Sequence, residues 1–325
     1  MGLFNAIGII ILTSAVIYYA GKYFAEASSA MGDYLHLPRS VKGATFDAIS
    51  SSLPELLVAL YSVIIFNEFS VGIGTIAGSA LFNLLIIPGI CILVAPVVFK
   101  VSKQVVSREA MFYIIAVIAL LVALFASSVW GLVIPLLLLS IYGIYIFVIV
   151  KDVKHHKKTT KKIEIEGSPW IKGLIILGTV AVIAIATFFL TEQAIALSGF
   201  LGVHPFIIAF TIVAAATSVP DAVISIVNAK KGDIDDAASN VFGSNVFDIL
   251  VGLSVPLIIA YFIMGPTTVI FERMELLAML LISTFAVYIL LFRKRILTKK
   301  QGIVLLGMYG VILGYVIYIA ATGIV

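Results

Sequence analysis

Charge is scarce in this 325-residue chain: 12% of its residues are Asp, Glu, Lys or Arg, against about 25% in an ordinary soluble domain. That scarcity excludes a water-exposed globule. With 62% hydrophobic residues and a mean hydropathy of +1.19, the chain reads as a polytopic membrane protein. A single cysteine, Cys91, excludes an internal disulfide and carries no information on redox compartment. No lysine or arginine precedes Lys22, so the apolar run Ile7 to Ala20 lacks the basic leader of a secretory signal. It reads as a first, uncleaved span. Lys and Arg outnumber Asp and Glu, 21 to 17, but they lie in connections between apolar runs, as orientation signals do. That distribution excludes a nucleic-acid partner, and nothing in the chain implies a protein partner; the lipid bilayer is the expected surrounding.

Apolar runs of roughly 20 residues, enough to cross a bilayer, lie near 3–21, 43–66, 71–98, 109–127, 130–150, 171–191, 204–229, 237–263, 274–292 and 302–322. The expected fold is therefore all-α, with ten transmembrane helices. If the N-terminus is outside, 20 of the 21 basic residues fall in inner connections and only Arg273 lies outside. By the positive-inside rule both termini are extracellular, and the cell membrane is the expected location. The one long polar connection, residues 151–170, divides a first half, 1–150, from a second, 171–325. Its basic run contains His155 and His156 and could hold a metal or anionic lipid, yet a solvated cytoplasmic linker is the plainer reading.

Residues 43–98 return at 209–263, offset by 166 between Glu55 and Asp221 and by 165 between Asn83 and Asp248. Five spans is an odd number, so the second half enters the membrane from the opposite side. Inverted repeats of this kind carry a binding site near the bilayer midplane, where the halves meet.

The repeated core is Ser51-Ser52-Leu53-Pro54-Glu55 and Thr217-Ser218-Val219-Pro220-Asp221. A carboxylate within a membrane span is expensive and by default functional. Each follows a proline, which has no N–H and leaves the carbonyls of Ser50 and Ala216 without their helical donors. Carbonyls, hydroxyls and carboxylates are hard oxygen ligands suited to cations such as calcium. In the next span of each half, Thr75, Ser79 and Asn83, and Asn240, Ser244 and Asp248, recur every fourth residue and so share a helix face. Ser, Thr and Asn often merely bond backbone in membranes. Three carboxylates with no basic residue in their spans require a cation instead. Asp47 shares the stripe of 51 and 55, facing either the ion or a watery vestibule near Lys42.

These motifs, each followed by a G-S-x-x-x-[N/D] helix, resemble the cation/calcium exchanger superfamily, in particular the sodium/calcium exchangers. Gly72 to Ser79, Asp221 and Gly243 to Asp248 most resemble its potassium-dependent branch. The resemblance implies that Ser51, Ser52, Glu55, Ser79 and Asn83 line an ion site with Thr217, Ser218, Asp221, Ser244 and Asp248. It implies no enzyme and no cofactor, but an antiporter of sodium and calcium, with potassium a candidate co-transported ion. Asp47 and Ser50 to Leu53 depart from the branch pattern, and Thr75, where the second half has Asn240, fits that branch but not all exchangers; these differences bear on ion selectivity. A proton/calcium or other divalent exchanger is the alternative, although its usual G-N-x-x-E is absent. A passive cation channel could use the same oxygens. An intramembrane aspartyl protease lacks its Tyr-Asp and Gly-x-Gly-Asp motifs here.

Overall fold

The computed structural model describes residues 2–35, 46–155, 168–271 and 273–322. Arg39, Lys42, the first residues of the second expected span and most of the 151–170 connection lie outside the described residues.

The first half comprises α1 (Leu3–Tyr34), α2 (Ala48–Ile64) and α3 (Phe69–Leu81), which continues through a π-helical turn, Phe82–Ile86, into α4 (Ile87–Val94). A short strand β1 (Phe99–Lys100), α5 (Lys103–Ser107), α6 (Glu109–Ala126), β2 (Val129–Trp130) and α7 (Val133–His155) follow. The second half opens with α8 (Pro169–Leu201) and α9 (Pro205–Ile208), and a π-turn, Ala209–Val213, leads into α10 (Ala214–Thr217). Next come α11 (Val219–Lys231), α12 (Ile234–Phe247), a π-turn at Asp248–Gly252, and α13 (Ser254–Met264). The chain ends with β3 (Thr267–Thr268), α14 (Met274–Lys294), β4 (Ile296–Leu297) and α15 (Lys299–Thr322).

Among the described residues, eight helical stretches are long and apolar enough to cross a membrane, and a ninth if α9–α10 and α11, bent by 44° at Ser218, count as one. At 17 residues α2 reaches about 26 Å, slightly short of a hydrocarbon core of roughly 30 Å. The apolar runs understated α1 and α8, which reach 32 and 33 residues. Apolarity stops where the bilayer stops, whereas the α1 helix continues through Lys22, Glu26 and Asp33.

Burial orders the layers. In their most apolar stretches, α3–α4 and α12–α13 are 72% and 67% buried, against 28% and 22% for α1 and α8. The motif helices form the centre, and α1 and α8 lie outside them, packed along each other through Ile10, Ile17, Ala186 and Leu190. Small residues permit the central crossing. A Cβ at Gly78 would overlap the Phe210 carbonyl and lie 2.7 Å from Ala214 Cβ. Both obstacles are tightly packed backbone or core, so Gly78→Ala is expected to destabilise the protein by about 1–3 kcal/mol. A melting temperature in detergent equal to the parent's would show that the helices part there freely.

Two ribbons tie the halves together. Phe99 and Lys100 pair antiparallel with Leu297 and Ile296, and Val129 and Trp130 with Thr268 and Thr267.

Candidate functional site

The two proline motifs differ in backbone. Pro54 lies inside the continuous helix α2, whereas Pro220 follows the bend at Ser218, where α10 ends and α11 begins. The pyrrolidine ring removes the donor to the carbonyl four residues back in both copies. Gly21 of α1 approaches the second motif so closely that a Cβ there would sit 3.0 Å from Pro220 Cγ. In the facing helices, Asn83 lies within one π-turn and Asp248 begins another. π-turns recur at functional sites because the widened turn re-aims side chains.

These elements bring Glu55, Asp221 and Asp248 together. One carboxylate oxygen from each lies within 4.8 Å of the others, and all three residues are 0% exposed. Ser79 Oγ is placed to donate to Glu55 Oε1 at 3.4 Å or to Asp248 Oδ2 at 3.2 Å, and Ser218 Oγ to Glu55 Oε1 at 3.3 Å or to Ser79 Oγ at 2.9 Å. Asp221 accepts from Asn83 Nδ2 at 2.9 Å and from Ser244 Oγ at 2.7 Å. Ser51 Oγ and Ser244 Oγ lie 3.2 Å apart, joining the halves once more. Ser79 on Glu55 and Ser244 on Asp221 are repeat-related contacts.

Other predicted members are brought near with their hydroxyls engaged elsewhere. Ser50 Oγ bonds the Phe46 and Asp47 carbonyls, and Thr217 Oγ1 those of Val213 and Ala214. Both side chains are buried, with Thr217 beside Glu55 and Ser52 beside Asp248. Ala216 is buried and offers only its backbone. Thr75 Oγ1 bonds the Val71 carbonyl, as a structural threonine does. Asp47 stands outside the carboxylate cluster, partly exposed at the start of α2, where its carbonyl accepts from Ser50 and Ser51.

The electrostatics are decisive. Unit charges up to 4.8 Å apart repel by about 3 kcal/mol or more per pair at an effective dielectric of about 20. Three ionised carboxylates cannot share this space without countercharge. No lysine, arginine or histidine occurs in 48–64, 69–94, 205–229 or 234–264 to supply it. Meanwhile Glu55 Oε2, Asp248 Oδ1, Asn83 Oδ1 and Ser52 Oγ are buried without a hydrogen-bond partner. Such oxygens carry a desolvation penalty that cation ligation would relieve.

Sequence reasoning left Asn240, Ser225 and Asn245 out of the site. Asn240 Nδ2 bonds the Asp221 carbonyl and Ser225 Oγ, so it props Asp221 from behind. Asn245 Nδ2 bonds the Ala80 carbonyl at 3.1 Å, next to Ser79. The i, i+4, i+8 stripe caught Asn240 but gave no partner for it, and Asn245 lies off the stripe.

Fold and site together define a polytopic helical membrane protein with a buried, copied constellation of carboxylates and hydroxyls. A model of the sodium/calcium exchanger protein family matches residues 5–151 and 170–318, and the chain belongs to that family. It is 36% identical over 155 residues to human sodium/potassium/calcium exchanger 4, a match covering 47% of this chain and 24% of that protein. The chain thus spans about a quarter of that relative's length. With human sodium/potassium/calcium exchanger 5 it shares 27% identity over 339 residues, covering 74% of this chain and 67% of the relative. Among solved structures it resembles the sodium-calcium exchanger NCX_Mj soaked with sodium and strontium, with a TM-score of 0.67 and 23% identity. That match covers 96% of this chain and 99% of the other.

Proposed function

We propose that this protein is a secondary antiporter that exchanges sodium for calcium across the cell membrane through one site built from both halves. The observation that carries this reading is the cluster of three fully buried carboxylates, with unpartnered oxygens on Glu55 and Asp248 and no basic residue in 48–64, 205–229 or 234–264. Glu55 and Asp221 are the calcium ligands, joined by Ser51, Ser52, Ser79, Thr217, Ser218, Ser244, Asn83 and the carbonyls of Ser50 and Ala216. Calcium and sodium are both hard cations that these oxygens accept, and several sodium ions offset the charge that one calcium offsets. Exchange then follows from competition for one negative site. Asp248 adds a third carboxylate, which potassium travelling with calcium would balance. Asp47 belongs to a vestibule leading to the site. Alternating access is assigned to α1 and α8, which pack along each other outside the motif helices and carry none of the site carboxylates.

The test is calcium uptake into sodium-loaded proteoliposomes. Uptake that needs internal sodium supports exchange, whereas equal uptake without internal sodium means a channel.

The same reading takes α2 and the bent α9–α11 stretch as spans, giving ten helices in two inverted halves of five, 1–150 and 171–325. Their ion-binding repeats are 43–98 and 209–263, with 151–170 as a cytoplasmic linker and both termini extracellular. The ribbons support this topology. Strand β1 follows the third span and pairs with β4 after the ninth, both inside, while β2 and β3 follow the fourth and eighth, both outside. Cysteines at the exposed positions Thr268 and Lys300, in a Cys91→Ala background, are therefore expected to react with an impermeant reagent from opposite sides. Reaction of both from the same side would remove α14 from the spans and overturn the ten-span topology.

A further inference from the structure

Asn245 and Ala80 are counterparts in the two repeats, separated by the same 165 residues as Asn83 and Asp248. The side-chain amide of one therefore bonds the backbone of its own counterpart, where α3 and α12 cross. Asn245 precedes Asp248 by three residues, about one turn earlier along the same helix, and Ala80 follows Ser79, which is placed to donate to Asp248. The bond thus fixes the spacing of a site carboxylate from its hydroxyl partner on the facing helix.

Behind Asn245 lies a polar pair in an apolar layer, contributed by two helices outside both repeats. Tyr113 on α6 is 1% exposed, its hydroxyl lies beside the Asn245 side chain, and its ring packs 6.0 Å from that of Phe242, one turn earlier on α12. Thr284 on α14, also 1% exposed, reaches the Tyr113 oxygen at 3.2 Å and the Leu280 carbonyl at 2.8 Å. A threonine hydroxyl has one hydrogen for these two acceptors. Asn245 Nδ2 carries two hydrogens and gives one to the Ala80 carbonyl, so the amide N–H is the group that faces the Tyr113 oxygen, while Asn245 Oδ1 stays buried without a partner. The result is a chain from Thr284 through Tyr113 and Asn245 to Ala80, ending one residue from Ser79.

We infer that Tyr113 and Thr284 are positioning residues for the ion site, acting through Asn245 to hold Asp248 at its working distance from Ser79. The inference rests on the exchange reading above. Neither residue touches the carboxylates, so their loss alters ligand geometry and leaves ligand charge intact. Partners that orient ligands in this way typically change metal affinity by about tenfold when removed.

The experiment measures the apparent KM for calcium and for sodium, with the maximal rate, in proteoliposomes holding matched amounts of folded protein. The parent, Tyr113→Phe, Thr284→Val and Thr284→Ser are compared. Exchange by the parent tests the functional reading independently. The expected result is a ratio of calcium to sodium KM shifted by about tenfold in Tyr113→Phe and Thr284→Val, with the maximal rate kept. Thr284→Ser, which retains the hydroxyl, is expected to keep the parent's ratio. Thr284→Val leaves the tyrosine ring in place and carries the test alone should Tyr113→Phe not fold. An unchanged ratio, or a Thr284→Ser variant shifted like Thr284→Val, would overturn the inference and leave these residues a role in packing only.

Discussion

Glu55→Gln and Asp221→Asn are each expected to abolish sodium-dependent calcium flux while the protein still inserts and folds. Each exchange is nearly isosteric, so the packing around α2 and α11 is retained. What disappears is one unit of negative charge facing a divalent ion in a fully buried site. At an effective dielectric of about 20 that loss amounts to several kcal/mol, a fall in flux of about 100-fold or more. The two residues are counterparts in the repeats, yet neither amide substitutes for the other's carboxylate. The ion-free protein should respond the other way. With one of three mutually repelling carboxylates removed, each variant should unfold at an equal or higher temperature in chelator. Normal flux in either variant would remove that residue from the site.

The second large effect concerns Asp248. Its counterpart is Asn83, so the second half contributes one more carboxylate than the first. With calcium between Glu55 and Asp221, a charge of −1 is left in an enclosed site where an unpaired charge is costly. One potassium ion carried with calcium would balance it. Replacing potassium by choline is therefore expected to reduce calcium flux in the parent by about tenfold or more and to leave Asp248→Asn indifferent. A parent fully active in choline would reassign Asp248 to a proton or to sodium.

The site's acidic members were legible because buried charge is rare in a membrane and the two proline motifs copy each other. Glu55 and Asp221 announce themselves by cost, and Asp248 by its alignment with Asn83. The hydroxyls were less legible, since spacing shows which face a serine occupies but not whether a backbone carbonyl already engages it. Thus Ser244 reaches Asp221 while Ser50 and Thr217 bond their own helices. The bend at Ser218 and the continuous helix through Pro54 arise from similar motifs, because neighbouring helices decide how a proline is absorbed. The π-turn at Asp248 follows from no local pattern in the same way. Tyr113 and Thr284 were invisible for a further reason: they lie in spans that carry no motif and meet α12 only through the fold.

The central claim, one site shared by competing ions, is tested most directly by equilibrium calcium binding to the purified protein titrated with sodium. The account predicts that sodium displaces bound calcium completely, with a Hill coefficient above one for sodium. It also predicts that calcium binding is lost in Glu55→Gln and Asp221→Asn. Calcium that stays bound as sodium saturates, or that binds unchanged without both carboxylates, would contradict it.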